Sequence, residues 1–163
     1  MSTFLLFGFN HTKLKWYYGN GPNYYHRGFA WAMMHKLFKK LNGLYKNSII
    51  GSGDFVIAST IIDRAHRSVP ARLDGYMNSV LEYQEKMKHA RLGYVPGVIR
   101  HHFHGSKKNR KYRERNQILI EHGFDPTLHL TKDENGLIQL IPQKQELQRD
   151  ILEYFRECKE DDV

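Results

Sequence analysis

The sequence predicts an α/β or α+β fold in which helices pack on a small mixed sheet. Apolar residues recur with a helical period in several segments, and the Asn135-Gly136 pair separates two short runs typical of a β-hairpin. A chain of 163 residues is long enough for one hydrophobic core but short for two. We therefore expect residues 1–163 to form a single domain.

The composition excludes several classes of protein and limits the kinds of partner that the protein is expected to bind. The shares of hydrophobic (40%) and aromatic (13%) residues are too high for an intrinsically disordered chain. Cys158 is the single cysteine, which excludes a disulfide framework and a thiolate zinc site and suits a reducing compartment. The formal net charge of +8 favours an anionic partner: a nucleic acid, a nucleotide diphosphate or an anionic membrane surface.

The apolar run near the N-terminus is short. Residues 4–9 are interrupted by Gly8 and lack a basic leader, so they are too short for a signal peptide or a membrane span. We expect a soluble, cytoplasmic protein with no membrane span.

The N-terminal half begins with a loop and two predicted helices. Residues 16–26 carry five aromatic side chains among Gly, Pro and Asn, and such side chains either pack locally or stack on sugar rings and bases. Residues 34–41 predict a short amphipathic helix that ends at Asn42-Gly43. Its apolar positions, at i, i+3, i+4 and i+7, are Met34, Leu37, Phe38 and Leu41. The sequence "GSGDF" (residues 51–55) predicts a tight turn that leads into a buried helix ending near residue 62.

The C-terminal half predicts three more helices, a strand and the hairpin. Helices are expected over residues 72–90, 109–121 and about 143–159, and His122-Gly123 predicts the end of the second one. The apolar face of the last helix is predicted to consist of Leu147, Ile151, Phe155 and Cys158. Residues 93–103 predict a short strand that Pro96-Gly97 interrupts, with a histidine cluster at its end.

Asp54 follows the glycine-rich turn and has two interpretations. A short polar residue before an apolar run is a common helix N-cap. A carboxylate held at a cleft by such a turn could instead accept a proton from a hydroxyl nucleophile or bind a sugar hydroxyl. The residues alone leave both interpretations open.

Three histidines lie within "HHFH" (residues 101–104). Strand alternation would place His102 and His104 on one face and His101 on the other, whereas a turn would bring His101 and His104 together. Histidine is a frequent metal ligand, but three neighbours form a metal site only with a further ligand from elsewhere in the fold. The spacing is compatible with metal binding and with a structural role.

The basic run "SKKNRKYRER" (residues 106–115) contains six basic side chains and one acidic one. The basic residues are Lys107, Lys108, Arg110, Lys111, Arg113 and Arg115. Most charge runs are solvated helix faces, but arginine is suited to bidentate contact with phosphate oxygens. A diphosphate is the smallest partner that would use both these arginines and the neighbouring histidines.

Taken together, these segments resemble the C-terminal half of a GT-A type, nucleotide-sugar-dependent glycosyltransferase. The resemblance covers residues 16–141 and is closest to the family 2-like enzymes of large DNA viruses, phages and microbes. It is carried by "FAWA" (residues 29–32), by "GSGD" (residues 51–54), and by the residues His101, His104, Gly105, Arg110, Tyr112 and Arg115.

The resemblance implies roles for particular residues. Asp54 would be the catalytic base of an inverting enzyme, or an acceptor-binding residue of a retaining one, and His104 or His101 would complete a divalent-metal site for manganese or magnesium. The substrate-binding residues implied are Trp31, Gly53, Lys107, Arg110, Tyr112 and Arg115. The implied partners are a nucleotide-sugar donor and a carbohydrate or glycoconjugate acceptor.

The sequence departs from the family pattern in one respect. GT-A enzymes bind the nucleotide with an N-terminal Rossmann-like half that ends in an Asp-x-Asp motif, and these 163 residues contain neither. The Asp161-Asp162 pair follows the histidines instead of preceding them and cannot replace that motif. The chain would then be an acceptor and metal-closing half that is truncated, split from a partner chain or reduced to a non-catalytic remnant. In the second case its partner would be a separate N-terminal glycosyltransferase half. The alternative is a non-enzymatic nucleic-acid-binding domain, whose basic helix contacts phosphates and whose tyrosine-rich loop stacks on bases.

Overall fold

The computed structural model describes residues 31–91 and 111–158. In these ranges the chain forms six α-helices: α1 His35–Leu41, α2 Gly53–Ile61, α3 Asp74–Met87, α4 Tyr112–Glu121, α5 Pro126–His129 and α6 Gln145–Glu157. It also forms two strands, β1 Leu130–Lys132 and β2 Ile138–Leu140, and two 3-10 turns, Ala65–Arg67 and Pro142–Lys144. The predicted loop at residues 16–26 and the predicted strand at residues 93–103 lie outside the described residues. No helix in the described ranges is long and apolar enough to cross a membrane.

Helices packed with a small sheet give the α+β fold that the sequence predicted. The mixed sheet expected from the sequence would also need the strand at residues 93–103, which lies outside the described residues, so it stays a prediction. Within the described residues the sheet consists of β1 and β2, with Leu130 opposite Leu140. The two strands are antiparallel, since the short loop between them can join only antiparallel neighbours. Gly136 has a φ of 77° in this loop, which confirms the predicted hairpin turn.

The predicted end of the first helix is also confirmed. Asn42 and Gly43 have φ angles of 58° and 97°, and the Gly43 amide donates to the Phe38 carbonyl over 3.0 Å. A left-handed residue followed by glycine satisfies the last carbonyls of a helix and turns the chain away from its axis. The chain then leads into the segment before α2.

The core is built around α3. Tyr76, Val80, Tyr83 and Met87 follow a helical period and are all buried. Tyr76 stacks on Tyr45 with a centroid separation of 6.4 Å and meets the edge of Phe124 at 5.4 Å. These aromatic contacts join residues from both described ranges in one hydrophobic cluster.

Hydroxyl groups fix the segment before α2 to α3. Tyr76 Oη donates to Ser48 Oγ over 2.9 Å, and Asn47 Nδ2 donates to Ser79 Oγ over 3.0 Å. Tyr45 Oη lies 3.0 Å from the same Ser79 hydroxyl, and burial raises the pKa of Tyr45 well above its usual range. Buried hydroxyls that find partners in this way hold one backbone arrangement. The turn that follows at residues 51–54 is therefore held in a defined position.

Two predicted apolar faces differ from those observed. Met34 and Phe38 of the first helix are 78% and 43% exposed, and only Leu41 is buried among its four predicted core positions. In α6 the core contact comes from Tyr154, whereas Phe155 is 53% exposed. A helical period identifies residues that can share a face, but the neighbouring elements decide how much of that face is covered.

Helix α3 is shorter than the predicted range of residues 72–90. The Leu73 amide donates to the Pro70 carbonyl in a turn before the helix, and His89 has a φ of 81° just after it. The turn that begins at Pro70 therefore limits the N-terminal end of α3, and the left-handed His89 limits its C-terminal end. The apolar pattern of the sequence continues past both ends.

Polar contacts tie α4 to α6. His122 Nε2 lies 2.7 Å from Asp150 Oδ2, and a hydrogen bond from His122 lowers the pKa of the Asp150 carboxyl. Lys111, just before α4, pairs with Glu157 at the end of α6. One polar contact near each end of α4 joins this helix to α6, and Arg115 lies on α4 between these two contacts.

The core position of α6 gives a stability prediction. Leu147→Ala should lower the free energy of unfolding by about 2–5 kcal/mol, because Leu147 is fully buried and its removal leaves a cavity. Leu152→Ala makes the same substitution in the same helix at a side chain that is 49% exposed, and should change it by less than about 0.5 kcal/mol. Urea unfolding measures both values. Equal losses would mean that the exposed side of α6 is covered.

Candidate functional site

The "GSGD" segment (residues 51–54, hereafter the GSGD turn) forms the entry to α2. Gly51 and Ser52 have φ angles of 94° and 69°, and the Ser52 carbonyl accepts a hydrogen bond from the Val56 amide over 3.0 Å. Ser52 is thus the N-cap residue, but its side chain caps no amide of the helix. Its hydroxyl is turned to another partner.

Asp54 is not the N-cap, so that interpretation of the sequence is wrong. It is the second residue of α2 and its side chain is exposed. The helix begins directly after Ser52, which has a left-handed backbone conformation. It therefore starts two residues earlier than it would if Asp54 were the N-cap. A carboxylate in the first turn of a helix is still favoured by the partial positive charge of that end.

The partner of the Ser52 hydroxyl is Arg115 of α4. Arg115 Nη2 donates a hydrogen bond to Ser52 Oγ across 63 positions of sequence. The guanidinium also passes close to Gly51, where an added Cβ would lie 2.9 Å from Arg115 Nη1. The structure therefore joins two of the motifs that the sequence singled out, the GSGD turn and the basic run.

Two tyrosine side chains also contact the Arg115 guanidinium. Arg115 Cζ lies 4.5 Å from the ring centroid of Tyr112, a cation–π distance, and Tyr112 is 42% exposed. Burial raises the pKa values of Tyr154 and Tyr76, and the charge of Arg115 opposes part of each rise. Arg115 also hydrogen-bonds to Tyr154. Its neighbours are thus neutral hydroxyls and a ring.

Positive charge at the site comes from Arg115 and from the N-terminal end of α2. Arg115 forms no ion pair with any other residue of the described ranges. Its charge lies beside the N-terminal end of α2, which carries a partial positive charge of its own. The guanidinium and this helix end lie close together, and helix N-termini bind phosphate groups in this manner. The exposed Asp54 carboxylate in the same helical turn is the one negative charge of the GSGD turn.

The other predicted site residues in the described ranges have more ordinary surroundings. Gly53 is the first residue of α2, and an added Cβ there would lie 3.7 Å from the Tyr45 carbonyl oxygen. Trp31 packs against Ala58 and Ile62, and its buried Nε1 has no hydrogen-bond partner in the part of the chain described. Trp31 as a wall for sugar rings stays a prediction.

The remaining predicted site residues lie outside the described residues. They are His101, His104, Lys107 and Arg110. Their roles in metal and diphosphate binding stay predictions.

The described residues do not by themselves form a site for the implied divalent metal. No group of three His, Cys, Asp or Glu side chains between residues 31 and 91 or 111 and 158 could hold an ion. Asp54 contributes one carboxylate to the GSGD turn.

Sequence reasoning missed two residues of this site. Ser52 lies between two glycines of the motif. A polar residue between two glycines at a predicted turn could have been identified as a candidate site residue. Tyr154 carried no such signal, because its position on the buried side of α6 depends on how α4 and α6 pack.

Comparison of the chain with models of known protein families, with curated proteins and with solved structures finds no match.

The approach of Arg115 to Gly51 can be tested with a second glycine as control. Gly51→Ala and Gly136→Ala both place a Cβ at a positive φ, which costs about 1–2 kcal/mol, but Gly136 has open space around it. Gly51→Ala should cost about 1 kcal/mol more, because the guanidinium must move and lose its Ser52 hydrogen bond. In an Arg115→Ala background this excess should vanish. Equal costs for the two glycines in the wild-type background would contradict the contact.

Proposed function

We propose that this chain is a glycosyltransferase-derived domain that binds the diphosphate of a nucleotide-sugar and presents an acceptor hydroxyl to Asp54. The observation that carries the proposal is the convergence of Arg115 with the GSGD turn. The sequence resemblance assigns both elements to the substrate site of such enzymes, and the fold brings them into contact across 63 positions of sequence.

The diphosphate is the part of the donor best matched by this site. The guanidinium has several N–H donors in a planar fork, and the hydroxyls of Ser52 and Tyr154 engage only part of that fork. The amides of the first turn of α2 have no side-chain cap. Together they offer hydrogen-bond donors and positive charge to phosphate oxygens, which supports binding of the donor and stabilisation of the departing diphosphate.

The catalytic group of the proposal is Asp54. Asp54 is the second residue of α2, and its exposed carboxylate lies in the first turn of that helix. In an inverting enzyme it would accept the proton of the acceptor hydroxyl as that oxygen attacks the sugar. In a retaining enzyme the same carboxylate would bind the acceptor. A separate N-terminal half remains part of the proposal as the partner that binds the nucleoside.

Arg115 should determine nucleotide affinity. In titrations with UDP, Arg115→Ala should weaken binding by about one to two orders of magnitude, the effect of losing hydrogen bonds from a charged donor. Arg115→Lys should restore only part of this, because an ammonium lacks the planar fork. Arg113→Ala removes an exposed arginine two positions earlier in α4 and should leave UDP affinity unchanged.

These titrations also test the alternative function. An oligonucleotide that binds tightly, with a steep dependence on salt and no competition from UDP, would favour a nucleic-acid-binding domain. If the Arg113 and Arg115 variants weakened UDP binding equally, the contact between Arg115 and the GSGD turn would not explain that binding, and the proposal would fail.

Asp54 should act in transfer and not in folding. With the N-terminal half supplied as a separate polypeptide, Asp54→Asn should reduce sugar transfer by about 10²–10⁴-fold if Asp54 is the base. Stability should fall by less than about 1 kcal/mol, since only a favourable helix-end charge is removed. Asp74→Asn is the matched control, because Asp74 occupies the first turn of α3.

The kinetic constant that changes separates the two roles of Asp54. A loss in kcat indicates the base of an inverting enzyme, whereas a raised KM for the acceptor indicates a binding residue. Unchanged transfer in Asp54→Asn, or a loss matched by Asp74→Asn, would contradict both roles.

A further inference from the structure

We propose that α1 and the turn after it form a docking surface for anionic membranes. The surface, called the α1 patch, consists of three exposed apolar side chains and three lysines: Met34, Phe38, Leu44, Lys36, Lys39 and Lys40. This inference does not rest on the proposed transferase function.

The apolar residues of the α1 patch are neighbours. The Phe38 amide donates to the Met34 carbonyl over 3.0 Å, so the two residues are one helical turn apart on the same side of the chain. The Phe38 ring lies over Gly43, where an added Cβ would be 3.7 Å from Cζ, and Leu44 follows directly. Their exposures are 78%, 43% and 47% for Met34, Phe38 and Leu44. Exposed apolar side chains grouped in this way mark interaction surfaces.

The charged side chains that belong to the α1 patch itself are all basic. Lys36, Lys39 and Lys40 are exposed and form no ion pair with any other described residue. The sequence contains no Asp or Glu before Asp54, while the same 53 residues contain six lysines and one arginine. A partner of the α1 patch must therefore be anionic, and it must also accept apolar side chains.

A cleft next to the α1 patch adds a place for a phosphate group. It has a volume of about 150 Å³, and its lining includes Leu44, Lys46, Lys86, Asn47 and Ser79. Glu82 also lines it, so the two lysines leave a net positive charge. Leu44 belongs to both the cleft and the patch, so an apolar anchor and a basic, hydrogen-bonding cleft lie side by side.

An anionic lipid bilayer fits these features better than a nucleic acid does. Met34 and Leu44 are aliphatic and cannot stack on bases, which is how exposed apolar contacts to single strands are made. In a bilayer, such side chains enter the boundary between headgroups and acyl chains while lysines lie along the anionic headgroups. The cleft would accept the phosphate of one headgroup.

Vesicle binding tests the docking surface. The full chain should bind vesicles of phosphatidylcholine with phosphatidylglycerol and bind those of phosphatidylcholine alone only weakly. Replacing Lys36, Lys39 and Lys40 with Gln should reduce affinity about a hundredfold, at about fivefold per lysine near an anionic surface. Met34→Ser with Phe38→Ser should reduce it about tenfold or more. All five side chains are exposed and Met34 is the N-cap residue, where serine is favoured, so thermal melting should not fall.

Matched controls separate this surface from general charge attraction. Leu152→Ser with Phe155→Ser removes a similarly exposed apolar pair from α6, where Glu153 and Glu157 are its neighbours, and should leave vesicle binding unchanged. Replacing Arg113, Lys132 and Arg149 with Gln removes three exposed charges from elsewhere and should have a much smaller effect than the α1 triple variant.

Several outcomes would overturn the proposal. These are equal losses in the controls and the α1 variants, and binding to duplex or single-stranded DNA through the same lysines without vesicle binding. Protection of Met34 from mild oxidation in the free protein would also overturn it, because another segment or a second copy would then cover the patch.

Discussion

The position of one guanidinium, that of Arg115, decides the geometry of the candidate site. Arg115 comes from α4, but its hydrogen bond is made to Ser52, at the start of α2. The approach is possible because Gly51 has no side chain and has a φ of 94°. A half-buried charge needs partners, and here they are hydroxyls and a tyrosine ring instead of carboxylates. The partners hold the cation in place without neutralising it.

The parts of the fold that follow from local chemistry could be predicted from the sequence. The end of α1 depends on Asn42 and Gly43, and the hairpin depends on Gly136, and in each case a few adjacent residues determine the backbone. The extent of burial could not be predicted in the same way. Met34 and Phe38 have the period of core residues but remain exposed, because packing of α1 covers only the side that carries Leu41.

The candidate site shows the same division. The GSGD turn and the basic run are visible as motifs, and both contribute to the site. The sequence could not predict which arginine of the basic run contacts the GSGD turn, since this depends on how α4 packs against α6. The contacts of Lys111 with Glu157 and of His122 with Asp150 fix that packing, and each joins residues far apart in the chain. Long-range pairing of this kind leaves no local pattern.

The two basic surfaces differ in a way that separates their partners. Arg115 is half buried among hydroxyls, so salt screens it little and only an anion small enough to reach the GSGD turn can contact it. The lysines of α1 are exposed, so salt screens them strongly and they act together on an extended surface. If Arg115 binds a phosphate and the α1 patch binds a membrane, as proposed, then burial and not net charge determines which anion each surface selects. A protein with a net charge of +8 can in this way keep a small phosphate ligand and a membrane surface from competing for the same residues.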